Sequence, residues 1–341
     1  MEAILSRGMV PEPVVRLGIK RLLKQRIRDE SDSDVEVAQN RFNTLIENLK
    51  NSPIAIETKE ANRQHYELPA QFFELVMGKY LKYSSGYWKE ETKSLTEAEE
   101  AMLKIYLERA DIQSGQKILD LGCGWGSFSL FAAQAYPDSE FTAISNSAIQ
   151  RRFIEGRISS LGIKNLKVIT QDINHLDLET KFDRIISIEM FEHMRNYEKL
   201  LEKVSHMMQP DGKLFVHIFT HKTLAYLFED NDSTDFLTRN FFTGGTMPSD
   251  HLLHYFNKDL SVSKHWVVNG CHYGKTSEAW LENMKSHEKD IMAIFREHYG
   301  KEARRWWHFW KVFFMSCAEL WNFESGNQWH VSHYLFQKTV K

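Results

Sequence analysis

The 341-residue chain predicts a doubly wound α/β sheet, preceded by helices and followed by a helical cap, and three observations carry that prediction. Between Lys117 and Phe219 five short apolar or β-branched runs (KILDL, EFTAIS, LKVIT, RIISI, KLFVHIF) alternate with helical stretches. That is the pattern of parallel strands joined by crossover helices and covered on both faces. The first run passes straight into Gly122, Gly124 and Gly126 and then into the helical SFSLFAAQAY, so a loop able to bring backbone N–H groups close to a ligand stands at the carboxyl end of the first strand. Finally, HVSHYLFQK near the C-terminus alternates like an antiparallel strand that closes the sheet.

The flanking elements follow in order. From Val14 to Leu49 the spacing of Val15, Ile19, Leu22, Leu23, then Val37, Phe42, Leu45, Ile46 and Leu49 is helical, with an acidic break at Asp29 to Asp34. Pro69 to Gly78 is a further helix with Phe72, Phe73, Val76 and Met77 on one stripe. Thr96 to Ala110 follows, with Thr96 as N-cap and Glu99 as capping-box partner. Beyond the core, Thr220 to Asp259 lacks periodicity, His265 to Val268 is a candidate strand, and Ser277 to Trp321 is a long helical stretch placing Trp306, Trp310, Phe313 and Cys317 on one face.

Composition narrows the function. Hydrophobic residues are 42% and charged residues 26%, ordinary globular usage that argues against disorder. With 43 basic and 46 acidic side chains the net charge is −3, and no global basic field exists to hold nucleic acid. Three scattered cysteines (Cys123, Cys271, Cys317) give neither a disulfide framework nor zinc spacing, which points to a reducing, cytoplasmic compartment. No apolar run is long enough to span a bilayer, so no stable membrane insertion is expected, and no secretory signal is read at the start. The basic segment Arg16 to Arg28 reads as a transit peptide, a membrane-surface helix or a solvated amphipathic helix; the acids flanking it favour the last. Nine Trp and 22 Phe exceed ordinary use and suit both a core and a pocket for a flat apolar ligand.

The glycine loop departs from the dinucleotide fingerprint, because Ser127 stands where a third glycine is needed and no acid ends the second strand. A tight βα turn is its plain structural alternative. The spacing Asp120, Gly122, Gly124, Gly126 resembles instead the first motif of S-adenosylmethionine methyltransferases. YSSGYW at Tyr83 to Trp88, NSAIQ at Asn146 to Gln150, QDI at Gln171 to Ile173 and MFEHM at Met190 to Met194 resemble the cyclopropane fatty acid synthase group. FFTGGTMPS at Phe241 to Ser249 and HYGKTSEAWL at His272 to Leu281 resemble its branch of plant amine N-methyltransferases. The resemblance runs from about residue 60 to the C-terminus and implies a class I methyltransferase (Rossmann-like) sheet with S-adenosylmethionine as cofactor.

Carried over residue by residue, the resemblance implies Tyr83 and Ser84 for the cofactor carboxylate, Gly122 and Gly124 for its methionine part, Asn146 and Gln150 for the ribose, and Asp172 with Ile173 for the adenine. Ile188 joins that set. Carboxamides donate and accept, so Asn146 and Gln150 can pair with hydroxyls in place of a carboxylate, while Asp172 is equally suited to capping a helix. The expected division is residues 1–100 as a helical region over the active site, whose first helices cover it or mediate dimerisation, 101–220 as the cofactor core, and 221–341 as substrate cap and closing strands.

Directly after the fourth strand come Glu189, Glu192 and His193. If Glu189 begins a short helix, the three share one face at the carboxyl edge of the sheet. Glu-x-x-Glu-His lacks the further ligand a metal needs, so no metal is expected; the plain alternative has Glu192 capping, or pairing with Arg195 or Lys199. An amine resembling lysine, with a pKa of about 10.4, is neutral in roughly one molecule in 10³ at pH 7, so methylating it requires a proton acceptor. Carboxylates attract the ammonium, and His193, at an ordinary ~6.5, or a Glu raised by burial takes the proton. Which of the three does so stays open.

In cyclopropane synthases the place of Glu189 is typically glycine, and bicarbonate serves as base on residues matching Cys123, Glu192, His217 and Tyr273. Glu189 therefore follows the amine pattern. The expected substrate is a small aromatic amine, a benzylisoquinoline or phenylalkylamine, touched by Tyr66, Glu67, Phe242, Phe256, Tyr273 and Trp329; Tyr255 belongs to the same aromatic set. Bicarbonate-assisted methylene transfer to a lipid alkene is the alternative reaction, and a non-catalytic cofactor-binding scaffold the alternative class. A homodimer stays open.

Overall fold

The computed structural model describes residues 6, 8–56, 68–228, 241 and 244–339. Helices α1 (Glu12–Glu30), α2 (Val35–Asn51), α3 (Ala70–Val76) and α4 (Leu95–Arg109) precede the sheet. Then come β1 (Lys117–Leu121), α5 (Ser127–Ala135), β2 (Glu140–Ser145), α6 (Ala148–Leu161), β3 (Leu166–Thr170), β4 (Phe182–Ile188), α7 (Tyr197–Met207) and β5 (Met208–His221). A short pair, β6 (Tyr226–Leu227) and β7 (Thr246–Met247), leads to β8 (Leu260–Val268), α8 (Gly270–Ser286), α9 (Glu288–Tyr299), α10 (Ala303–Asn322) and β9 (Trp329–Lys338).

The main sheet runs β3-β2-β1-β4-β5-β9-β8, parallel through β5 and antiparallel at β9 and β8. The doubly wound sheet, its five parallel runs and its closing strand are as the sequence predicts. Alternate residues of each strand enter two different cores, which makes the sheet two-sided. Ile118, Ala143, Ile186 and Phe215 pack against α3 to α6 and α8 to α10. Leu119, Ile144, Ile185 and Leu214 pack against α2 and α7.

Three boundaries differ from expectation. Helix α4 is capped by Ser94, whose Oγ accepts from Glu97 N, while Glu97 accepts from Lys93 N. Thr96 and Glu99 are thus not the cap; both face the preceding loop instead, Thr96 accepting from Lys79 N and Glu99 from three loop amides. The stretch Ser277 to Trp321 is three helices, divided at His287 and at Gly300, whose φ of 55° ends α9. Strand β8 begins at Leu260, earlier than the apolar run suggests.

The basic segment is α1, a helix with no buried residue. It lies against α8 and α10 through ion pairs, Arg16 with Glu278 and Glu319 and Glu12 with Lys285 and Lys311, and its partly buried Val15, Ile19, Leu23 and Ile27 pack on the larger core. Among the described residues no helix is long and apolar enough to cross a membrane.

Candidate active site

Strand order reverses between β1 and β4, and a cavity opens there at the carboxyl ends of the parallel strands, the position where open α/β sheets take ligands. Its wall takes Gly122, Cys123 and Gly124 from the loop after β1, Asn146 and Gln150 after β2, Asp172 and Ile173 after β3, Ile188, Glu189 and His193 at the end of β4, and Lys82, Tyr83 and Ser84 from the segment before α4. All nine residues that the sequence singles out for a cofactor line this one space.

The glycine loop is shaped by backbone conformation. Gly122 has φ +86°, and a Cβ there would fall 2.7 Å from Met190 Cγ, so any other residue is both strained and obstructed. Behind the loop, buried Asp120 accepts from Ser129 Oγ and ties β1 to α5; burial pushes its carboxyl up to about 7. Gln150 accepts from Ser145 Oγ at 2.6 Å, leaving its Nε2 buried on the cavity wall with no partner. A buried amide donor of that kind requires an acceptor. Asp172 caps the turn Ile173–His175 by accepting from Asn174 N at 2.8 Å, and lines the cavity as well, so the capping and ligand roles coexist.

The acids lie beside the glycine loop, since Met190, which directly follows Glu189, is the side chain that a Cβ at Gly122 would meet. Glu189 does not begin a helix: its φ is +51°, and the 3₁₀ turn Phe191–His193 starts beyond it. Left-handed backbone costs a non-glycine residue about 1–2 kcal/mol, and here it turns the carboxylate into the cavity rim. Glu189 Oε1 accepts from His217 Nε2 at 2.9 Å and its Oε2 from Tyr273 OH at 3.3 Å; its remaining partner is Glu192. Glu192 is 2% exposed, off the cavity wall, with Oε2 unpartnered.

Burial reverses the expected order of basicity. It raises the Glu189 carboxyl to about 7 and, together with the Glu189 charge, pushes Glu192 well above the usual carboxylate range. It lowers His193 to about 4. Two carboxyls in bonding contact cannot both ionise, so the pair holds a proton near neutrality while His193 is neutral and weakly basic.

Two further ionisable groups, Lys82 and Glu99, complete the site, and the sequence marks neither as belonging to it. Lys82, 2% exposed, donates to Ser84 Oγ and to Ser85 O, and sits 4.9 Å above the Tyr106 ring. Burial lowers its ammonium to about 7, against the opposing pull of Glu189 and Glu99. Glu99 accepts from the amides of Gly78, Tyr80 and Lys82, which fixes the loop that delivers Tyr83 and Ser84. The sequence signal for Glu99 exists, but it reads as a helix cap.

The expected substrate contacts are scattered. Tyr273 reaches Glu189 and stacks on Trp321 at 4.6 Å. Phe256 packs edge-on against Tyr197 in the core below the opposite sheet face, and Trp329, fully buried, donates to Tyr226 OH; neither lines the cavity. Tyr66, Glu67 and Phe242 lie outside the described residues.

With this geometry in view, the chain matches the mycolic acid cyclopropane synthetase family over residues 55–331. It belongs to that family. Within it, the chain is 38% identical to an (S)-coclaurine N-methyltransferase of Papaver somniferum, covering 98% of this chain and 96% of the relative. It is 34% identical to a pavine N-methyltransferase of Thalictrum flavum subsp. glaucum, covering 98% and 95%. A crystal structure of coclaurine N-methyltransferase bound to N-methylheliamine and SAH superposes with a TM-score of 0.96 at 37% identity, covering 99% of this chain and 98% of that one.

Proposed function

We propose that this member of the cyclopropane synthetase family transfers a methyl group from S-adenosylmethionine to the nitrogen of a small aromatic alkaloid-type amine, a benzylisoquinoline or phenylalkylamine. The observation that carries the reading is the carboxyl pair Glu189/Glu192, of which Glu189 lines the same cavity as the glycine loop. The N-methyltransferase relatives supply the reaction type.

S-adenosylmethionine, when bound, supplies an electrophilic methyl group on a sulfonium. The residues present fit it: the buried donor of Gln150 lacks an acceptor, and the glycine loop leaves room for close backbone approach. Tyr83 and Ser84 would hold its carboxylate, Gly122 and Gly124 its methionine part, Asn146 and Gln150 its ribose, Asp172 and Ile173 its adenine, with Ile188 beside them.

The amine arrives as an ammonium. Glu189 accepts its proton, and the nitrogen lone pair is then free to take the methyl group. With a carboxyl near 7, Glu189 is matched to that transfer at neutral pH, whereas His193, near 4, is better suited to shaping and orienting than to holding a proton. The helical stretches before residue 100 and after residue 221 close over the amine.

Lipid cyclopropanation would need a bound bicarbonate. Of the residues that would hold it, His217, Tyr273 and Glu192 are already spent on the Glu189 carboxylate. A built-in carboxylate stands where the diffusible base would sit, and a second anion would be repelled. Incubation with labelled S-adenosylmethionine and either an amine panel or unsaturated phospholipid tests the reading. Methylated amine, formed without any requirement for bicarbonate, is expected; label entering only lipid would overturn it.

A further inference from the structure

Sheet register lays one polar row across four neighbouring strands. Ile188, directly before Glu189, pairs with His217, His217 with His333, and His333 with Trp266. At the outer end Arg109, the last residue of α4, lies over the Trp266 ring at 5.2 Å and places Nη1 2.6 Å from His333 Nδ1. His333 Nε2 is 2.8 Å from His217 Nδ1, and His217 Nε2 is 2.9 Å from Glu189 Oε1. Both imidazoles are fully buried.

A guanidinium only donates. His333 must therefore present a lone pair at Nδ1, and as a neutral ring it carries its hydrogen on Nε2, which donates to His217 Nδ1. His217 in turn carries its hydrogen on Nε2 and donates to Glu189. Reversing either ring would set two hydrogens face to face at less than 3 Å. We propose that Arg109 is a positioning residue for catalysis: through His333 and His217 it forces every hydrogen of the row to point at Glu189, so that Glu189 is the charged acceptor of the carboxyl pair and Glu192 carries the shared proton. The row is a one-way lock and not an exit path for protons, because its far end cannot accept one.

Other groups facing the row agree with this polarity. Lys82 and Tyr273 face Glu189, and burial, aided by the charges of Arg109 and Lys82, keeps both histidines neutral by lowering their pKa values well below the ordinary one; Tyr106 OH, 2.9 Å from His217 Nδ1, accommodates either tautomer because a hydroxyl donates and accepts.

The assignment of catalytic roles rests on the amine reading, but the polarity does not, and the experiment separates them. Nitrogen-15 NMR of the imidazoles in the wild-type chain, without substrate, should show His217 and His333 both protonated at Nε2 and bare at Nδ1; the opposite tautomer on either ring overturns the proposal. Arg109→Met should mix the tautomers of His333 and lower kcat by about 10- to 100-fold while the affinity for S-adenosylhomocysteine changes less than about twofold. His333→Gln, which can accept from Arg109 and donate to His217, should keep most of the activity that His333→Leu loses. Equal loss in the two His333 variants, or unaltered shifts and kcat in Arg109→Met, would refute the lock. Wild-type tautomers as described with no turnover of any amine would discard the proposed substrate and leave the lock standing.

Discussion

The two parts of the site, a cofactor end and an acid end, are built on opposite plans. Apart from Tyr83 and Ser84, the cofactor end is assembled from short segments, each at the tip of one strand and shaped locally: positive φ in the glycine loop, a Ser147 cap on α6, an Asp172 cap after β3. The acid end draws Glu189, His217, Tyr273, His333, Arg109 and Lys82 from six separate stretches of the chain, held by side-chain bonds between partners as far as 224 positions apart. Local construction is robust to distant change, while a network of charges in a dry interior is only as good as its weakest partner.

Substitutions at each end should separate the two plans. The largest effect is expected from Glu189→Gln, which removes the proposed proton acceptor: kcat should fall about 10²- to 10⁴-fold with little change in affinity for S-adenosylhomocysteine by calorimetry. Gly122→Ala should do the reverse, weakening that affinity at least about tenfold, since its Cβ would meet Met190 and its φ disfavours a side chain. Lowering pH should silence the acid end. Glu189, raised to about 7 by burial, is protonated below that point and cannot accept, so kcat should rise with pH to about 7 and level off. Smaller still is Glu99→Gln, which takes an acceptor from the loop amides and should raise the KM for S-adenosylmethionine by a few-fold. The smallest effect on activity belongs to Arg16→Ala: loss of its pairs with Glu278 and Glu319 should cost about 1–2 kcal/mol of stability in denaturant melts with kcat unchanged.

The same contrast decides which parts of the molecule are legible in its sequence. The strands, the closing β9, the glycine loop and the nine cofactor-facing residues are carried by period and by contiguous motifs, which short stretches of sequence display. Glu189 and Glu192 are also legible as a pair, although they meet through a left-handed residue and not through helical spacing. Arg109, His333 and Lys82 are not: the meaning of His333 depends on register between strands remote in sequence, and that of Arg109 and Lys82 on packing against residues far along the chain. Two histidines set among otherwise apolar strand residues, in FVHIF and VSHYL, are the only hint. Phe256 and Trp329 show the opposite limit: aromatic character alone does not tell a core ring from a ligand contact.

One last consequence attaches to Lys82. A catalyst for alkylating nitrogen carries, in its own cavity wall, a primary amine that burial has brought to about 7 and so to half neutrality. Its hydrogens are committed to Ser84 Oγ and Ser85 O, and the Tyr106 ring covers another approach. These tethers fix where its nitrogen sits, so placement as well as protonation must keep this lysine from becoming a rival nucleophile, a resident that must never be mistaken for the guest.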